Sequence, residues 1–173
     1  RNRKIKKILI ALPISYQDSE DIINTFSKFI KKYEFKNFQF FINYHPMLNF
    51  EKLMKKNNDL NKRYVLFKGS FSQKYYNFDC IISNTSSICL ESIALSTPVI
   101  IIENSKSITQ NPISIVKKDI WRLVKNEKEL EKSLTDLIYK KNKKFYYKNS
   151  KIIRDEYFSK LSHKNIINFL GLK

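Results

Sequence analysis

Glycine is almost missing from this sequence. Of 173 residues only Gly69 and Gly171 are glycine. A GxGxxG dinucleotide fingerprint and a GxxxxGK[ST] phosphate loop both need glycines much closer together, so both are excluded. Cysteine is equally scarce, and Cys80 and Cys89 cannot build a disulfide framework or a four-cysteine zinc site. Arginine supplies five of the 33 basic residues, without clustering, and no RNA- or DNA-binding motif is recognisable. No apolar run approaches the roughly 18 residues of a membrane span, and nothing at the start reads as a signal peptide.

What is present is a core-forming composition. Hydrophobic residues make up 42% and aromatics 14%, enough to bury a core without staples and to exclude disorder over the whole length. The net charge of +17 is uneven. Residues 1–7 carry five bases and no acid, and residues 140–173 carry ten bases and two acids. The segment between them holds 18 bases against 14 acids. The bland account is an A/T-rich codon bias, since Lys, Asn, Ile, Phe and Tyr are all abundant. The functional account is a basic margin facing an anionic surface.

Short apolar runs alternate with helical patterns. Residues 7–12 form a run stopped by Pro13 and predict a buried strand. Ile22, Ile23, Phe26, Phe29, Ile30 and Tyr33 then make one helical stripe. Asp18, Glu20 and Asp21 stand at its start and Lys28, Lys31 and Lys32 at its end, as the macrodipole favours. Further strands are expected at Phe38–Tyr44, Tyr64–Lys68, Asp79–Ser83 and Pro98–Ile102. Helices are expected near 49–57 and at Ser86–Leu95, with a loop or one helical turn at 71–77. A sixth short strand is expected at 120–124. Asn126-x-x-Glu129 resembles a capping box opening a helix with Leu130, Leu134, Leu137 and Ile138 as its stripe. The basic stretch Lys140–Lys144 should break that pattern, with further helices near 150–161 and 163–170 and Gly171 as the final cap.

This alternation predicts an α/β fold: a Rossmann-like, doubly wound parallel sheet in the order 3-2-1-4-5, with basic C-terminal helices. One domain over 1–173 is expected, with its core at about 7–138.

In such a sheet, ligands bind at the carboxyl ends of the strands. The first strand delivers Ser15 there, the second His45-Pro46, the third Lys68, Gly69 and Ser70. The fourth delivers Asn84, Thr85, Ser86 and Ser87, and the fifth Glu103 to Lys106. This edge is rich in hydroxyls, holds one histidine and two lysines, and has almost no apolar surface. It suits an anionic, hydroxylated ligand. Ser86 and Ser87, with backbone N–H groups at a helix start, can hold a phosphate. Glu91, four residues after Ser87, shares its helical face and can accept from a sugar diol. The plain structural reading is that Thr85 caps the helix and Glu91 is a first-turn acid. Pro46 biases His45 towards an extended backbone, leaving its imidazole to contact a phosphate or leaving group. His163 reads as solvated. Cys80 reads as core, Cys89 as facing sheet or solvent, and Tyr75-Tyr76 and Phe145-Tyr146-Tyr147 mainly as packing. No His, Cys and acid cluster has metal-ligand spacing, and no metal or cofactor is expected.

The His-Pro pair at His45-Pro46 and the Ser-Ser pair at Ser86-Ser87 resemble motifs in the C-terminal, nucleotide-binding domain of GT-B-type glycosyltransferases. The likeness is to bacterial CMP-sialyltransferases, capsule polysialyltransferase-type enzymes and CDP-glycerol glycerophosphotransferases. Glu91 and Ala94–Ile100 match the more general GT-B pattern. The resemblance covers about residues 7–138. It implies that His45, Ser86 and Ser87 bind the donor's phosphate and Glu91 the ribose hydroxyls; Thr85, Lys68, Gly69 and Ser15, delivered by their strands to the same edge, are expected at the nucleotide site. It implies a transferase moving a sugar or glycerophosphate from a CMP- or CDP-activated donor to a bacterial surface glycan. The N-terminal acceptor domain of such enzymes has no counterpart here, so the chain is expected to be a domain inactive without that partner. The setting expected is cytoplasmic and peripheral on the inner membrane face, with both basic ends near the interdomain cleft and against anionic lipid. The alternatives are a UDP-sugar transferase or UDP-GlcNAc 2-epimerase-like domain and, from another class, a basic nucleic-acid-binding module.

Overall fold

The computed structural model describes residues 5–33, 37–57, 60, 63–67, 78–106, 108–109, 111–114, 116, 119–139 and 143–158. The chain runs β1 (Lys6–Leu12), α1 (Tyr16–Lys32), β2 (Phe38–Tyr44), α2 (Phe50–Lys55), β3 (Val65–Leu66) and β4 (Cys80–Ser83). It continues through α3 (Ile88–Ala94), β5 (Val99–Ile102), β6 (Trp121–Val124), α4 (Glu127–Tyr139) and α5 (Lys143–Tyr157).

All strands join one parallel sheet in the order β3-β2-β1-β4-β5-β6. The expected order holds, and the sixth strand forms. β1 lies at the centre, and Ile8–Leu12 are buried without alternation because helices cover both faces. β4 and β5 are likewise buried throughout. The chain winds outward from β1 through β2 to β3, then returns to the other side of β1. Right-handed crossovers running in opposite directions place their helices on opposite faces. α1 packs with α2 and α4 on one face, and α3 packs with α5 on the other.

The aromatic stripe of α1 anchors the first layer. Phe26 and Phe29 are fully buried and meet Phe40 of β2 edge-on, with ring centroids 5.0 and 6.0 Å apart. α4 opens with the expected capping residues. The Glu129 N–H donates to Asn126 Oδ1 at 3.0 Å, while the Glu129 carboxylate accepts from the Lys125 N–H at 2.9 Å. α3 ends in a Schellman arrangement: Ser96 N–H donates to Ile93 O and Thr97 N–H to Ser92 O. The left-handed residue of that cap is Ser96, at φ 60°, where most chains place glycine.

Two boundaries differ from expectation. β3 is only two residues long, and its Val65 and Leu66 are exposed, as suits an edge strand. The basic stretch does not delay the last helix, because α5 already starts at Lys143. It is held by α3, where Arg154 donates to Ala94 O at 3.1 Å and Ser150 to Ser96 Oγ at 2.8 Å. The expectations for 71–77, Tyr75-Tyr76, 163–170, His163 and Gly171 lie outside the described residues. No described helix is long and apolar enough to cross a membrane.

Candidate functional site at the carboxyl edge of the sheet

The order reverses between β1 and β4, and a crevice of about 490 Å³ opens at their carboxyl ends. One wall is the start of α1, with Ser15 and Asp18; the other is the start of α3, with Ser86, Ser87 and Glu91. The end of β2 adds Asn43, Tyr44, His45 and Pro46, and Thr85 lies between the walls.

Each side chain arrives for a local reason. The His45 N–H donates to Leu12 O at 3.1 Å, continuing the pairing of β2 with β1 past the last strand residue. Pro46 then turns the chain, and the Met47 N–H donates to His45 Nδ1 at 3.2 Å. That bond uses Nδ1 as an acceptor, so the neutral ring carries its proton on Nε2. Ser15 is the N-cap of α1 and accepts from the Asp18 N–H at 3.3 Å. Its hydroxyl proton is still available as a donor.

At α3 the capping expectation fails. Thr85 is not the cap; its hydroxyl donates instead to Asp18 Oδ2 at 3.3 Å, across to the other wall. Ser87 holds the cap position with αR backbone angles and no side-chain capping bond. The Ile88 N–H is engaged by Ser86 Oγ at 3.4 Å, and those of Cys89 and Leu90 by the Ser86 and Ser87 carbonyls at 3.0 Å. The first turn therefore uses its own amides, and the donors it offers a ligand are chiefly side-chain hydroxyls. Glu91 is half-buried, and desolvation raises its pKa above the ordinary carboxylate value. Its carboxylate makes no hydrogen bond or ion pair with a described residue.

Of the residues expected at this site, His45, Thr85, Ser86, Ser87, Glu91 and Ser15 all line the crevice. Lys68 and Gly69 lie outside the described residues. Three expectations need correction. The crevice is not free of apolar surface, since Ala11, Leu12, Ile14 and Ile88 line it. Lys106 does not line it, and no described lysine or arginine does. The segment after β5 is drawn to α1, where the buried Asp21 accepts from the Ser105 N–H at 3.0 Å and the Ser105 hydroxyl at 2.7 Å.

Asp18 is the crevice residue that sequence reasoning missed. It counted only as an acid favouring a helix start. The usable signal was its spacing, three residues after a cap at a strand end, which turns the first-turn side chain back over the switch point. The cysteines are spectators. Both are buried, and burial pushes the Cys89 thiol up to about 12 and raises that of Cys80 as well.

No protein-family model matches the chain, and no curated protein matches it in sequence. Solved structures do match. The C-terminal domain of the glycosyl transferase group 1 family protein LpcC from Francisella tularensis aligns at TM-score 0.57 and 20% identity, over 90% of this chain and 87% of that one. The lipopolysaccharide outer core galactosyltransferase WaaB, in apo form, aligns at 0.64 and 15% identity, over 99% of this chain and 50% of that one. The UDP-GlcNAc 2-epimerase from Neisseria meningitidis, bound to UDP-GlcNAc, aligns at 0.58 and 22% identity, over 88% of this chain and 40% of that one. The chain thus spans half or less of the latter two proteins. Strand order, switch-point crevice and these alignments agree that the fold is the Rossmann-like half of a GT-B fold, which the two glycosyltransferases and the epimerase above share.

Proposed function

We propose that the crevice binds the nucleotide of an activated donor, and that the chain is the donor half of a transferase acting with a second domain. The observation that carries this reading is the meeting of His45 with Ser86, Ser87 and Glu91 in one crevice at the switch point. A phosphate there takes hydrogen bonds from the Ser86 and Ser87 hydroxyls and from His45 Nε2–H. Glu91, half-buried and without a described partner, accepts from the ribose diol. As the bond to the transferred group breaks, negative charge grows on the leaving phosphate. The same hydroxyls and imidazole, already in place, stabilise that charge.

We favour a CMP- or CDP-activated donor and a bacterial surface glycan as acceptor, because the His-Pro and Ser-Ser pairs fall on the same crevice. The second reading is a UDP-activated donor; it is favoured by the epimerase of this fold that is bound to UDP-GlcNAc. Thermal-shift and calorimetric titration with CMP, CDP, UMP, UDP and GDP separates the two. A ligand at 100 times its Kd adds about 2.7 kcal/mol of stability, a readily measured shift. No shift with any of the five refutes nucleotide binding.

We also propose that the basic margin meets an anionic membrane surface. The described parts of that margin that meet, around Lys6 and Tyr146, lie at the edge opposite the crevice; residues 1–4, 140–142 and 159–173 lie outside the described residues. Lys6 and Tyr146 line one hollow there, beside Asp79 and the turn after α3. α5 exposes Tyr147, Lys151, Ile152 and Tyr157, and Phe158 follows it. Lysines near an anionic bilayer contribute on the order of 1 kcal/mol each. Co-sedimentation should require anionic vesicles, weaken with salt, and drop when Lys140, Lys141, Lys143 and Lys144 are neutralised. Equal binding to neutral vesicles, or none to either, refutes the margin.

A further inference from the structure

The crevice contains more acid than a phosphate site needs. Asp18 and Glu91 stand on opposite walls, and no described lysine or arginine lines the space between them. For phosphate alone this arrangement is poor, because each carboxylate repels it through a partly desolvated gap. Glu91 is accounted for by a ribose diol. Asp18 is accounted for only in part: it suits the start of α1 as a first-turn acid and Thr85 donates to its Oδ2 at 3.3 Å, but no described residue takes Oδ1. The carboxylate is fixed from two sides. Its backbone N–H is held by the Ser15 cap, and one oxygen is held by a hydroxyl from the far wall. A fixed, half-buried acceptor beside a phosphate site discriminates among ligands, because a ligand with no donor there leaves it desolvated and unpaired.

We propose that Asp18 is a specificity-determining residue, whose Oδ1 accepts a hydrogen bond from a hydroxyl on the transferred group of the donor, next to the phosphate. This rests on the donor-binding reading and deepens it. Glu91 recognises the nucleoside side of the phosphate, and Asp18 the side to be transferred. The preferred ligand is then a nucleotide joined to a polyhydroxylated group, and the bare nucleotide or free phosphate is disfavoured. Thr85 acts as a positioning residue that orients Asp18.

The test compares paired ligands by calorimetry on the whole chain: CDP with CDP-glycerol, UDP with UDP-glucose, and inorganic pyrophosphate alone. In the unaltered chain the hydroxylated member of the preferred pair binds more tightly. Asp18→Asn should shrink that preference by about tenfold, the scale of a hydrogen bond to a charged group. Pyrophosphate should bind the variant as tightly as before or more tightly, because a repelling charge has gone. Asp18→Glu keeps the negative charge at the helix start but displaces the carboxylate, so it should melt normally and still lose the preference. If the preference survives in both variants, or if all ligands weaken together, Asp18 only supports the wall and the proposal is overturned. If the unaltered chain binds no nucleotide, the donor reading falls too; a bound nucleotide with an unchanged preference overturns this proposal alone.

Discussion

The two edges of the sheet are made from similar residues and use them in opposite ways. At the amino edge the polar groups answer one another. Lys6 Nζ pairs with Asp79 at 3.1 Å, and Asp79 also accepts from the Lys7 N–H at 3.0 Å. The Tyr146 hydroxyl donates to Leu137 O at 2.7 Å, and Ser150 and Arg154 tie α5 to the end of α3. At the carboxyl edge the Ser87 hydroxyl makes no capping bond, His45 keeps Nε2, and Glu91 is half-buried without a described partner. A buried polar group left unpaired lowers stability, so the amino edge spends its polar groups on the fold, whereas the carboxyl edge leaves several for the ligand proposed above.

The comparison breaks most visibly at Tyr146. Tyr146→Ala removes a buried ring and its hydrogen bond, and about 3–5 kcal/mol of stability should go with them. Denaturant titration measures that loss, and at a temperature where the variant is folded its nucleotide affinity should be unchanged. A fall in affinity would mean that the edges are coupled. The converse change is Ser86→Ala combined with Ser87→Ala. It should weaken nucleotide binding by about 1–3 kcal/mol in calorimetry. Its melting temperature should fall only slightly, since Ser87 caps nothing and Ser86 accepts only the long 3.4 Å bond from the Ile88 N–H.

Glu91→Gln sharpens the contrast with pH. Desolvation raises the Glu91 pKa in the folded chain, so the charged form opposes folding above that value. The variant should melt higher than the parent at neutral pH. The gain should fade as pH falls through the raised folded value and vanish below the unfolded value of about 4.3, where Glu91 is protonated in both states. The same variant should bind nucleotide less well and inorganic phosphate equally well. Equal loss of both ligands would make Glu91 structural. The smallest effect belongs to Lys6→Gln. It breaks a part-exposed ion pair and should remove about 0–1 kcal/mol, less at high salt. A larger, salt-independent loss would mark that pair as a site in its own right.

Much of this molecule was legible in one dimension. Ile8–Leu12 and Val99–Ile102 announce central strands because a strand covered on both faces has no reason to alternate. His45-Pro46 ends β2 on schedule because proline cannot continue a parallel ladder. Ser15 was expected at the site, and it lines the crevice while its hydroxyl caps α1.

Other features lay out of reach because they join residues distant in sequence. Thr85 resembles a cap by position, yet its hydroxyl goes to Asp18, 67 residues earlier. Glu103 to Lys106 follow a strand into the expected edge, but Asp21, 84 residues before Ser105, draws that segment to α1. The docking of α5 on α3, through Arg154 on Ala94 and Ser150 on Ser96, likewise joins residues 60 and 54 positions apart.

The sequence by itself determined the strands, their parallel winding and the edge at which the crevice opens. Hydrophobic period and the handedness of crossovers are local rules, and the reversal at β1 follows from them. Tertiary structure alone decided which polar side chains at that edge spend their hydrogen bonds on each other and which keep them. Pairing depends on distances of a few ångströms between segments that the sequence does not order relative to one another. For that reason His45 and the serine pair could be nominated from motifs, whereas Asp18 emerged only once α1 and α3 were set on opposite faces of one sheet.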